Sequence, residues 1–287
     1  MDDAVKRFRQ IFGCKQDIIQ ERLCSSICRP TDLEWLPRWA ILGKDCNETE
    51  WHATPHRKMW EWLFIYHALS ERKMLMSSRK GLGFGVGKEP LSSVFTSLGC
   101  SITATDAPPD MSTGWEETNQ YGKHINDLFN SHFVEYNRFF SNVRFEYVDM
   151  RHIPPHLNEY DFLWSSCALE HLGSLYAAKE FIYRAMDCLK PEGIAVHTTE
   201  INLSSSSETL VSSNDSILRT VDFIEIAEHL VRQGHCVEPL DFRLDGSALD
   251  ELVDEPPYSL PHFKLEVGGY VSTSFCLIIR KRTGDNK

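Results

Sequence analysis

Gly81-Leu-Gly83-Phe-Gly85-Val-Gly87 is the stretch on which the fold turns. Glycine at every second position lets a backbone turn sharply and approach a ligand closely. Pro90–Leu98 follows as a helix, with proline in its first turn and Gly99 at its end. Its N-terminus points free N–H groups back at the loop. Ser101–Thr105 then reads as a short strand ending at Asp106. The dinucleotide fingerprint G-x-G-x-x-G fails in every register, because Val86, Lys88 and Pro90 stand where its third glycine belongs. A P-loop fails as well, since Glu89 follows Lys88 and Leu82 replaces the first glycine. What fits is G-x-G-x-G with an acid closing the next strand. Asp106 lies nineteen residues after Gly87, where a carboxylate can accept two hydrogen bonds from a ribose diol.

Downstream the chain keeps alternating. Val143–Val148, Asp161–Ser165 and Ile194–Thr199 read as strands, and Lys179–Leu189 reads as a helix closed by Lys190-Pro191-Glu192-Gly193. A second helix, Phe223–Gln233, is expected to be capped by Asp222 and stopped by Gly234. Cys236–Leu244 and Ser272–Arg280 are the last strands, and the acidic segment Asp245–Glu255 between them reads as a solvated loop. Strands alternating with helices imply an α/β fold with a mostly parallel sheet covered on both faces.

Upstream, residues 1–75 have another character. Five of the seven tryptophans, Trp35, Trp39, Trp51, Trp60 and Trp62, fall there. His56–Met74 has helical spacing, whereas Arg29–Pro55 carries three prolines and little periodicity, and reads as loop or short turns. The expected division is therefore an N-terminal helical cap over 1–75 and an α/β domain over 76–287. The cap either covers one side of the core or forms a lid with an aromatic wall over a substrate pocket.

Bulk properties narrow the partners. The net charge is −11, and no basic run offers nucleic acid a footprint. No apolar stretch is long enough for a membrane helix, and the N-terminus lacks a signal-peptide core. Nine scattered cysteines without a CxxC pair read as reduced thiols, which points to a cytoplasmic protein.

Over residues 76–287 these motifs resemble the class I S-adenosylmethionine-dependent methyltransferase superfamily. The resemblance implies a Rossmann-like seven-stranded sheet, mostly parallel with an antiparallel last strand, and S-adenosylmethionine as cofactor. It assigns the methionine end of the cofactor to Gly83, Gly85 and Gly87, and the ribose to Asp106. Tyr147-Val-Asp149-Met150-Arg151 looks like the segment that contacts adenine, through Asp149 with Met150 beside it. Asp161-Phe-Leu-Trp164-Ser165-Ser166 looks like the fourth-strand motif, which adds Ser165, and Cys188-Leu-Lys190-Pro191-Glu192-Gly193 looks like the turn before the fifth strand. One departure is plain. Gly81 stands where the family carries the acid that binds the cofactor's amino group, and Glu89, just after the loop, is the substitute.

In open α/β sheets the ligand lies beyond the carboxyl ends of the strands. Cys167-Ala-Leu-Glu170-His171 and His197-Thr-Thr-Glu200-Ile-Asn202 fall there. Methyl transfer to a hydroxyl needs an aligned nucleophile and a group to take its proton. His171, His197 and Glu200 are the candidate catalytic residues; a helix cap, a half-buried ring and a solvated strand end are their structural alternatives. No metal is expected, and the only set that could hold one is His171, His197, Glu200 and His262. The expected activity is methylation of a small molecule or glycoside, on oxygen with nitrogen as an option, with no nucleic-acid or membrane partner and with homodimerisation open. The rival is a non-catalytic sensor or scaffold that binds S-adenosylmethionine.

Overall fold

The computed structural model describes residues 23–35, 56–111, 121–212, 214–259 and 261–283. In it the glycine run is divided between a strand and a loop. Its first half lies in the central strand of the sheet, and only Gly85 and Gly87 turn, with φ of +58° and +53°. Gly81 and Gly83 serve packing. A Cβ on Gly81 would run into the Phe162 ring, and one on Gly83 would lie 2.5 Å from the Trp164 ring.

In chain order the elements are β1 (Ser25–Ile27), α1 (Asp32–Trp35), α2 (Arg57–Glu71), β2 (Lys80–Phe84), α3 (Leu91–Ser97), β3 (Ser101–Asp106), α4 (Tyr136–Asn142) and β4 (Val143–Tyr147). There follow β5 (Tyr160–Ser166), α5 (Leu175–Ala185), β6 (Leu189–Asn202), β7 (Leu218–Arg219), α6 (Thr220–Arg232), β8 (Cys236–Val237), β9 (Leu240–Asp241), β10 (Leu265–Val267) and β11 (Tyr270–Arg280). The strand order is β4-β3-β2-β5-β6-β11-β1-β9. Strands β4 to β6 pair in parallel, and β11 returns antiparallel to β6. Among the described residues the sheet has eleven strands, against the seven expected. Beyond β11, in place of one further long strand, short strands are added, including β1 from before residue 76, which pairs with both β11 and β9.

Period-two alternation sorts the core into two layers. Phe162, Trp164, Val196 and Ile278 face α2 and α3, where Trp60, Phe64 and Phe95 meet them. Leu163, Ala195, Leu277 and Phe275 face α5 and α6, against Phe181 and Phe223. Helix α2 is buried along nearly its whole length, and such a helix belongs inside a fold.

Local chemistry moved several boundaries. The Ser174 hydroxyl caps the Ala177 N–H, so α5 begins before Lys179. Asp222 is not the cap of α6. It sits in the first turn and reaches back to the Arg219 N–H at 2.9 Å. The turn at Lys190–Gly193 lies inside β6 as an irregularity of register, with Glu192 at φ +65°. The tryptophans at 39 and 51, and the loop expected over 36–55, lie outside the described residues.

Candidate active site

The carboxyl ends of β2 and β3 bring the glycine loop and Asp106 together. Asp106 is buried, and its Oδ2 accepts the N–H groups of Gly87 at 3.1 Å and Gly122 at 3.0 Å. Its Oδ1 accepts the Ala107 N–H at 2.8 Å. Burial pushes the carboxyl up to about 6 even against these three donors. Gly122 rests on the loop so closely that a Cβ there would lie 2.6 Å from the Gly87 carbonyl oxygen. Glu89 is buried beside the loop and accepts the Trp164 indole N–H at 2.5 Å. Burial pushes its carboxyl up to about 8, and the Trp164 donor and the Lys58 charge only partly oppose it.

On the α2 side of the sheet, the apolar rows on β5, β6 and β11 give way at this end to Ser166, Thr198, Glu200, Ser274 and Ser272. Helix α2 answers with Arg57 and Glu61, one turn apart. Glu61 is fully buried. Its Oε2 accepts Ser166 at 3.1 Å and Thr198 at 3.2 Å, and its Oε1 accepts Cys167, Ser274 and Arg57. Arg57 also donates to Glu200 Oε1 at 2.6 Å and to Cys167 Sγ at 3.0 Å, and Glu200 Oε2 accepts Ser272. Burial would raise the Glu61 carboxyl, but the Lys58 and Arg57 charges outweigh it and hold the group below its ordinary value. Burial drives the Cys167 thiol well up, so it stays protonated and donates to Glu61. Cys167 has φ +47°, a left-handed conformation that a non-glycine residue adopts only when its surroundings hold it there. Glu170 accepts the Thr199 hydroxyl at 2.9 Å on Oε2, and its Oε1 has no hydrogen-bond partner among the described residues.

The parallel order β4-β3-β2-β5-β6, with an antiparallel strand after β6 and a glycine loop at the carboxyl end of β2, is the arrangement the resemblance implies. The fold is a Rossmann-like α/β arrangement, with a mostly parallel sheet and one long antiparallel strand. No family model matches the sequence, and no curated protein does. Solved structures do. One is magnesium protoporphyrin IX methyltransferase from Synechocystis PCC 6803 with bound SAH, at 12% identity and TM-score 0.44, covering 77% of this chain and 81% of that one. Another is a SAM-dependent methyltransferase from Methanosarcina mazei, at 12% identity and TM-score 0.44, covering 75% and 98%. A third is an S-adenosylmethionine-dependent methyltransferase from Mesorhizobium loti, at 12% identity and TM-score 0.44, covering 75% and 96%.

The remaining expected site residues are scattered. Met150 is buried, with its sulfur 3.4 Å from where a Cβ on Gly85 would stand. Asp149 turns to Arg151 Nε at 2.9 Å and His152 Nδ1 at 2.9 Å. These contacts overcome the effect of partial burial and bring its carboxyl down to about 2. Ser165 faces the α5 side, 2.8 Å from His197 Nδ1. His197 is buried against Phe181, and burial lowers it to about 3. His171 bonds the Asn214 carbonyl at 2.8 Å and lies 3.3 Å from Asp215. Burial alone would lower it, but Asp215 and Glu170 raise it to about 9, so at neutral pH it is a cation. His262 pairs with Asp254. The structure therefore does not gather His171, His197, Glu200 and His262 around one point. The group it does gather is Cys167, Glu170 and Glu200, with potential ligand atoms within 4.8 Å of one another, and the Arg57 guanidinium touches two of the three.

Sequence reasoning passed over Glu61, Lys58, Ser272 and Ser274. A signal existed for Glu61. It stands between Trp60 and Trp62 in an apolar run, four residues after Arg57, and a carboxylate placed there must find buried donors.

Proposed function

We propose that the protein is an S-adenosylmethionine-dependent methyltransferase acting on a small molecule or glycoside, with oxygen as the preferred acceptor atom. The observation that carries this reading is the 3.1 Å hydrogen bond from the Gly87 N–H to Asp106, which makes the glycine loop and the acid nineteen residues away one site. The residues present suit the cofactor. A carboxylate offers about four acceptor positions. The backbone takes three of them on Asp106, which leaves room for a ribose hydroxyl. Glu89 is a buried acid with one hydrogen-bond donor, short of the cation that would stabilise its charged form. Gly85 and Gly87 let the chain come close, and Met150 adds an apolar wall beside them.

When bound, S-adenosylmethionine supplies an electrophilic methyl on a sulfonium. The protein's part is to hold the acceptor at the carboxyl end of β5 and to remove its proton. Glu170 is the group fitted to take it, because its Oε1 is unclaimed, whereas His197 is turned to the opposite face and His171 is already charged. Arg57 and Glu61 fix Cys167 and Glu200 around it. Residues 1–75 supply this wall through α2, in keeping with a cap that closes the acceptor side.

Calorimetric titration with S-adenosylmethionine and S-adenosylhomocysteine tests the reading. Both are expected to bind, and Asp106→Ala is expected to weaken binding by about 1–3 kcal/mol. Absence of binding by wild type, or tight binding of NADH in its place, would overturn it. Binding without turnover on any small-molecule acceptor would favour a sensor or scaffold.

A further inference from the structure

Lys58 carries a charge that acts on the network around it without direct contact. It follows Arg57 in the first turn of α2, and Arg57 and Glu61 fix that turn over the end of β5 through Ser166 and Cys167. Both Glu61 oxygens are consumed by other donors. Among the described residues the Lys58 ammonium has no hydrogen bond and no ion pair, although Glu61, Cys167, Glu170 and Glu89 all act on it or feel it. Glu89 lies on the same face of the sheet, against Trp164. It holds Trp164, two residues before Ser166, by one oxygen, and its second oxygen has no hydrogen-bond partner among the described residues. An unpaired cation and an under-bonded acid thus flank one strand end without touching each other.

A buried acid left short of a partner costs stability, and Lys58, half-buried, does not close on it. A gap between a cation and an acid that a bound ammonium would ionise fits a ligand that carries both charges, in the reverse order. We propose that Lys58 and Glu89 form a receptor for the α-amino-acid end of the cofactor, Lys58 taking its carboxylate and Glu89 its ammonium. This rests on the reading that S-adenosylmethionine is the cofactor. It also accounts for Gly81. The Phe162 ring fills the space a side chain there would need, so an acid cannot stand at the usual place, and the amine falls to Glu89 just after the loop.

The test is titration calorimetry with three ligands: S-adenosylhomocysteine, its decarboxylated analogue, and 5′-methylthioadenosine, which lacks both charged groups. Wild type is expected to lose about tenfold in affinity on loss of the carboxylate, the size of one charge-assisted hydrogen bond. Lys58→Met should weaken S-adenosylhomocysteine by a similar factor yet bind the other two ligands like wild type, and Lys58→Arg should restore most of the loss. Glu89→Gln should weaken the two amine-bearing ligands and spare 5′-methylthioadenosine. If Lys58→Met weakens all three ligands equally, or weakens none, Lys58 is not the carboxylate anchor; Lys58→Gln gives the same comparison should the methionine variant not fold. Failure of wild type to bind any of the three would instead remove the cofactor reading itself.

Discussion

His197 and Glu200, three residues apart on β6, face opposite sides of the sheet: the first packs edge-on against Phe181, the second accepts Arg57 at 2.6 Å. A regular strand imposes this on residues at odd spacing. The two therefore cannot share one acceptor molecule, and His197 belongs to the packing between β6 and α5.

That assignment sets a pH dependence. Burial lowers His197 from 6.5 to about 3, so the unfolded chain takes up its proton first as pH falls. Its contribution is complete above pH 6.5 and is lost from there toward pH 3, at a slope of about 1.4 kcal/mol per unit. Urea unfolding at stepped pH should show this fall in wild type and a shallower one in His197→Gln. Equal slopes in the two proteins would show that another group carries the transition.

Arg57 is the keystone of the buried polar cluster between α2 and the sheet. It is buried and bonded to Glu61, Cys167, Ser274 and Glu200, so its removal strands two buried carboxylates. Breaking a buried pair from one side costs about 3–5 kcal/mol. Arg57→Met should lose that much in denaturant unfolding, whereas Glu200→Gln, which keeps a hydrogen-bonding side chain against Ser272, should lose less. An Arg57→Met protein as stable as wild type would mean that the cluster is open to water.

Much of the sheet was legible because its signals are local. Pro90 and Gly99 bracket α3, and Ser101–Asp106 alternates as a strand should. The glycine run misled in its first half. Alternate glycines read as a turn, but at 81 and 83 they admit the Phe162 and Trp164 rings, a contact between residues about eighty positions apart. Strand β1 was illegible for a similar reason, since Ser25-Ser-Ile27 has no pattern of its own and is a strand only because β11 and β9 offer it edges. The glycine loop and Asp106 could be read together because they follow one another along the chain. The polar cluster around Arg57 and Glu61 joins α2, β5, β6 and β11, and no spacing within one segment reveals it.

Gly122 offers a direct probe of the proposal that Asp106 holds the ribose. Its N–H bonds Asp106, and a Cβ there would lie 2.6 Å from the Gly87 carbonyl oxygen and 3.2 Å from Asp106 Oδ2. Backbone and a functional carboxylate would have to yield. Gly122→Ala should therefore weaken S-adenosylhomocysteine binding by about tenfold, the loss of one hydrogen bond to a charged group. Its effect on the melting temperature should be small, because the contact is local. Unchanged affinity would place the ribose away from this edge of Asp106.

Glu89 makes the proton balance of binding measurable. Its carboxyl stands at about 8, above the ordinary 4.5, chiefly through burial. The unfolded chain ionises it first, so this residue works against folding as pH rises from 4.5 toward 8 and is mostly protonated at neutral pH. A bound ammonium favours the carboxylate, so binding at pH 7 must expel the proton. Affinity for S-adenosylhomocysteine should then rise with pH up to about 8 and level off above it. The observed binding enthalpy at pH 7 should differ between phosphate and Tris in proportion to their ionisation enthalpies, with close to one proton released per ligand. Glu89→Gln carries no titrating group and should show neither the pH slope nor the buffer dependence. Should wild type and Glu89→Gln release the same number of protons, the ammonium would have to be held by another group, and Glu89 would be a packing partner of Trp164.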